Sequence, residues 1–170
     1  MKALGVLLLA SCALAAGCGD DDTTSPTAPS NAPIVFVAQL SPRNEVPPIG
    51  NAEGGVSGSV QITFEPTAEG GATASFHIQT TGFPAGTRLT GAHIHPGAAG
   101  VNGGVVVGTG ISNTAPLELT EGITAFDARA INVVPATAQA IIANPGAFYF
   151  NIHSSLNPGG VARGQLVRIR

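Results

Sequence analysis

Four histidines, His77, His93, His95 and His153, are the side chains best suited to chemistry in a chain of 170 residues whose charged fraction is 10%. Ala92-His93-Ile94-His95 reads as a strand, and because side chains alternate, His93 and His95 share one face. Phe148 to His153 reads as a second strand, with Phe148, Phe150 and Ile152 on one face and Tyr149, Asn151 and His153 on the other. Two imidazoles from one strand and a third from a neighbouring strand would form a three-nitrogen set with an open position. Such a set suits Zn, Cu or Ni. The sequence leaves open whether the two strands are neighbours. It is equally compatible with imidazoles that bond loop backbone or face water. His77 lies among Thr73, Ser75 and Gln79 on the polar face of its own strand and is expected to be a solvated surface residue.

Other chemistries find less support. There is no Gly-x-Ser-x-Gly elbow. Ser154 follows His153 directly, but neighbours on a strand point to opposite faces. The glycine-rich stretch Gly97 to Gly108 has neither the following Lys-Ser/Thr nor the helix of a phosphate-binding loop, and reads as a long connection. A formal net charge of -3 provides no basic footprint, so a nucleic-acid partner is not expected. The chain is read as a non-enzyme.

The N-terminus opens Met1-Lys2-Ala3, continues with an apolar run from Leu4 to Ala16, and ends Gly17-Cys18 before Asp20-Asp21-Asp22. A positive start, a short apolar stretch and small residues at its end are the marks of a secretory signal peptide, assigned to residues 1–17. The run falls short of the roughly 20 apolar residues of a spanning helix. Leu14-Ala15-Ala16-Gly17-Cys18 resembles the bacterial lipobox, which makes Cys18 the expected lipidation site, with Cys12 after Leu9-Ala10-Ser11 as the alternative. Residues 18–33, rich in Pro, Ser, Thr and Asp, are expected to be a lipid-anchored flexible linker. On this reading the mature chain keeps no free thiol and makes no disulfide. The expected setting is the cell envelope, with a membrane held through the N-terminal lipid and the outer membrane or cell surface favoured.

From residue 34 to 170 the pattern is that of one β domain. Val56, Gly58, Val60, Ile62 and Phe64 alternate with Ser57, Ser59, Gln61 and Thr63, and Ala74, Phe76 and Ile78 repeat the device. Further strands are expected at Ile34–Leu40, Leu89–His95, Gly103–Gly108, Leu117–Leu119, Thr124–Ile131, Ala147–His153 and Ala162–Ile169. One short helix is expected over Thr137–Ala143, stopped by Asn144-Pro145-Gly146. Many short strands joined by turns predict an all-β fold, an antiparallel sandwich or Greek-key-like barrel.

Several motifs occur in a characteristic order. These are Asn44-Glu45-Val46-Pro47-Pro48, Ala92-His93-Ile94-His95, Gly97 to Val105, Tyr149-Phe150-Asn151-Ile152-His153 and Arg163-Gly164-Gln165-Leu166. Together they resemble the CHRD (chordin) domain over about Val35 to Val167. The resemblance implies an extracellular all-β domain and brings no catalytic residue set; fold analogy does not transfer a ligand. Glu45 and Arg163 belong to the same motifs. In a chain so poor in charge they are candidates for a buried structural pair, the alternative being two exposed charges. The His-x-His strand also looks superficially like the copper strand of Cu,Zn superoxide dismutase. That pattern needs more histidines, a zinc-site Asp and a disulfide, so dismutase activity is not expected. The functional expectation is a surface-held binding or structural module for a protein or glycan, with Zn or Cu at His93, His95 and His153 as the alternative.

Overall fold

The computed structural model describes residues 32–120 and 124–170. The segment expected to be a signal peptide, the expected lipidation site at Cys18 and all but the last two residues of the expected linker lie outside the described residues. In chain order the strands are β1 (Ile34–Leu40), β2 (Ser57–Pro66), β3 (Ala72–Thr81), β4 (Thr87–Pro96), β5 (Val107–Gly108) and β6 (Leu117–Leu119). They continue with β7 (Thr124–Val133), β8 (Phe148–Ser154), β9 (Ala162–Gln165) and β10 (Val167–Arg168), and α1 (Pro135–Ala143) lies between β7 and β8. One sheet runs β10-β1-β2-β3-β7; the other runs β5-β4-β8-β9, with β6 also on β4. All pairings are antiparallel. The fold is the expected antiparallel sandwich, not a closed barrel.

The alternating residues decide how the sheets meet. Phe36, Ile62, Phe64, Phe76 and Ile78 of the first sheet and Leu89, Ile94, Phe150 and Ile152 of the second are fully buried. The Phe36 and Phe64 rings meet edge to face with centroids 5.3 Å apart, and Phe76 reaches across to Phe150 at 5.8 Å. Each such side chain contributes about 1.5–3 kcal/mol on burial, enough to close a core in a domain that contains no cysteine.

Three expected elements take a different form. Ala162–Ile169 is not one strand: β9 sits in the second sheet and β10 in the first, and buried Leu166 lies where the chain crosses between them. Of Gly103–Gly108 only Val107–Gly108 pairs; the preceding loop folds over the sheet and spends its backbone groups there. The helix starts at Pro135, two residues before its expected start, because proline suits the first helical position.

One irregularity positions the histidines. Strict alternation along β4 would put Leu89 on the same face as His93 and His95. Leu89 pairs with Ser154 and Gly91 with His153, so the register shifts by one residue between them. That extra residue, a bulge in effect, turns Leu89 into the core while Gly91, His93 and His95 face outward.

Candidate metal centre on the outer face of the second sheet

The outward face of the second sheet is not left to solvent. Register places Gly91 opposite His153, His93 opposite Asn151, and His95 opposite Tyr149. On the far side of β8, Asn151 pairs with Arg163 and Tyr149 with Gln165. Loops cover this grid, so Tyr149, Asn151 and Arg163 are all buried although they point away from the hydrophobic core. The result is a second, polar interior, and this explains why almost the whole of β8 is buried on both faces.

Within it the three expected histidines come together. His93, His95 and His153 each offer one ring nitrogen, and these atoms all lie within 4.8 Å of one another. Donors about 2.0–2.1 Å from one ion stand roughly 3.3–3.6 Å apart, so rings at the outer limit of this spread close by about 1 Å to share one. The ring centroids are 5.1 Å apart for His93 and His153, and 5.7 Å apart for His95 and each of the other two. His77, by contrast, stands on the other sheet as expected, half exposed, where its Nδ1 meets Asp127 at 2.8 Å.

The outer nitrogens of two rings are already committed. His95 donates Nδ1–H to the Gly103 carbonyl and His153 donates Nδ1–H to the Pro158 carbonyl, each at 3.0 Å. Because a carbonyl can only accept, both rings are held as the tautomer whose Nε2 carries a lone pair. Those Nε2 atoms, with Nδ1 of His93, are buried and have no protein hydrogen-bond partner. A backbone carbonyl on one ring nitrogen with the other left free is the arrangement typical of metal-ligating histidine.

The electrostatics agree. Burial lowers the His93 pKa from 6.5 to about 4, helped by the neighbouring His153 and His95. Burial likewise lowers His95 and His153, partly offset by the Gly103 and Pro158 carbonyls. All three rings are therefore neutral at pH 7, the form that ligates.

The supporting layer is built from residues distant in sequence. Tyr149 stacks on His95 with centroids 5.0 Å apart and planes 7° apart. Its hydroxyl accepts from the Gly103 N–H at 3.1 Å, which fixes the loop whose carbonyl orients His95. On the β9 side the Arg163 guanidinium lies 4.7 Å from the Tyr149 ring centroid. Arg163 donates Nε–H to the Asn44 carbonyl at 2.6 Å and Nη1–H to Asn102 Oδ1 at 2.7 Å, tying both covering loops to the sheet.

Glu45, 3.8 Å from Arg163 Nε, is the charge partner, and both are nearly fully buried. It follows a short 3-10 turn after β1 rather than lying on a strand. Burial pushes the Glu45 carboxyl up to about 7, with Arg163 and Asn151 pulling it back down.

Two contributors were not singled out by sequence reading. Glu53 accepts from the Ser154 hydroxyl at 2.6 Å and from the Asn157 amide, pinning the loop that carries Pro158. Gly91 leaves the space that the His93 and His153 rings occupy; a Cβ there would lie 2.5 Å from His93 Cε1 and 3.2 Å from His153 Cδ2. The available signals were a rare acidic residue in a turn-rich segment and a glycine inside a strand two residues before a histidine.

No curated protein matches this chain. The family model of the CHRD domain matches residues 36–166, a span that runs from β1 to the crossing at Leu166 and contains the whole histidine cluster. The chain therefore belongs to the CHRD-domain family.

Proposed function

We propose that this protein is an extracytoplasmic CHRD module, tethered through a lipid on Cys18, that binds a transition metal, Zn or Cu, at His93, His95 and His153. The observation that carries the metal reading is the convergence of three buried imidazole nitrogens, each without a protein partner. Leaving one buried polar atom unpaired costs about 1–3 kcal/mol, and a shared ion would relieve all three at once. The carbonyls on His95 and His153 supply the supporting hydrogen bonds that such ligands need. The signal-like N-terminus and the lipobox-like run ending at Cys18 support export and anchoring. A protein or glycan partner remains compatible with this role, with the site then fixing the loops that such a partner would meet.

The test is metal content by mass spectrometry on purified protein, alongside a variant with alanine at His93, His95 and His153. About one equivalent of Zn or Cu in the parent and none in a folded variant is the expected result. A parent that stays metal-free after incubation with both ions refutes the site. For the anchor, Cys18→Ala should abolish incorporation of labelled palmitate while Cys12→Ala leaves it intact.

A further inference from the structure

Building on the metal site proposed above, we infer that the ion this site is built for is Cu(I), held by the three imidazoles alone.

Donor number is the first reason. Among the described residues, the His, Cys, Asp and Glu side chains that converge here stop at His93, His95 and His153. The only methionine of the chain is Met1 and its cysteines are Cys12 and Cys18, so the β domain itself holds no thiolate or thioether. Zn(II) in a three-protein-ligand site takes water as its fourth ligand. Here the three free nitrogens are themselves buried, although the His93 and His153 rings are partly exposed at their other edges. Cu(I) has a filled d shell, imposes no ligand-field geometry and is stable with three ligands, and imidazole is among the donors copper accepts.

Charge is the second reason. Three neutral imidazoles bring no negative charge to offset the ion. In one cavity the Born cost of burial grows as the square of the charge, so a divalent ion costs about four times as much as a monovalent one. The nearest buried ionic group in the layered stack is itself positive: Arg163 lies against Tyr149, which lies against His95. Its counter-charge, Glu45, lies 3.8 Å from Arg163 Nε and bonds Asn151, so it offsets the guanidinium rather than the ion itself. The site thus disfavours a second positive charge on the metal more than the first.

The full chain, stripped of metal, would be titrated without oxygen with Cu(I) against a chromogenic Cu(I) chelator, and separately with Zn(II) against a Zn(II) indicator. One equivalent of Cu(I), bound tighter than Zn(II) by about 100-fold or more, is expected. X-ray absorption should show three nitrogen scatterers and no fourth ligand. Tighter Zn(II), or a fourth ligand on Cu(I), overturns the assignment and leaves the three-histidine site standing. Failure to hold either ion overturns the site itself. In the copper-loaded protein at pH 8, Glu45→Gln should raise the Cu(II)/Cu(I) potential by leaving Arg163 unbalanced. A potential that falls or does not move refutes the charge argument.

Discussion

Gly91→Ala should destroy metal binding while leaving the sandwich folded. The added methyl would sit 2.5 Å from Cε1 and 3.2 Å from Nδ1 of His93, and 3.2 Å from Cδ2 of His153. Carbon atoms in ordinary contact lie about 3.5–4.0 Å apart, so the His93 ring must retreat by about 1 Å. Functional constellations tolerate displacements of only about 0.5 Å, and disturbing the layer behind a metal ligand typically costs about 10–100-fold in affinity. A loss at or above the upper end of that range is expected. The cost in stability should stay near the ordinary overpacking figure of about 1–3 kcal/mol, because His93 is only partly buried. Competition titration with a metal indicator measures the first quantity, and urea denaturation of the metal-free protein measures the second. Wild-type affinity in the variant would refute the assignment of His93 Nδ1 as a ligand atom. A folding defect well beyond about 3 kcal/mol would mean that the glycine serves the strand rather than the site.

Other outcomes follow from the same geometry. The lowered pKa of His93, about 4 against 6.5 unfolded, means the unfolded chain binds the extra proton between those values, so stability falls on acidification through that window. His95 and His153 act in the same direction. Glu45, raised from 4.5 to about 7, acts oppositely, stabilising most below 4.5 and losing its contribution as pH rises to about 7. Denaturation midpoints of the metal-free protein at pH 7.5 and pH 5 report the sum of these opposed effects, and His93→Gln should raise stability at pH 5 relative to pH 7.5. Arg163→Met leaves Glu45 buried without its cation and removes the bonds to Asn44 and Asn102, at a cost of about 3–5 kcal/mol by urea denaturation; adding Glu45→Gln should recover part of it. Ser154→Ala removes a donor from buried Glu53 and should cost about 1–3 kcal/mol, again by denaturation.

The fold was largely legible because one property, alternation with period 2, governs both strand formation and burial. Val60, Ile62 and Phe64 in β2 and Ala74, Phe76 and Ile78 in β3 read correctly as core for that reason. Legibility failed where the chain obeys a constraint from elsewhere. Leu166 ends one strand and begins another because the two sheets meet there, which no local pattern encodes. Residues 103–106 are apolar enough to suggest a strand, yet the Gly103 backbone is spent on Tyr149 and His95 instead. The candidate site was half legible. His93 and His95 shared a face by alternation alone, whereas the nearness of His153 depended on β4 pairing with β8 across more than fifty residues of sequence.

By itself, then, the sequence determined the residue types, the strand periodicity and the absence of cysteine from the β domain, since these are local properties of the chain. Tertiary structure decided the rest. It set the register that puts Gly91 opposite His153, the one-residue shift that separates Leu89 from the histidine face, and the packing that buries one nitrogen of each of three imidazoles with its lone pair unspent. The physical reason is that metal ligation needs a particular distance between nitrogen atoms and a particular tautomer for each ring. Both are fixed by partners far away in sequence: the carbonyls of Gly103 and Pro158, the Tyr149 ring and the Arg163 guanidinium.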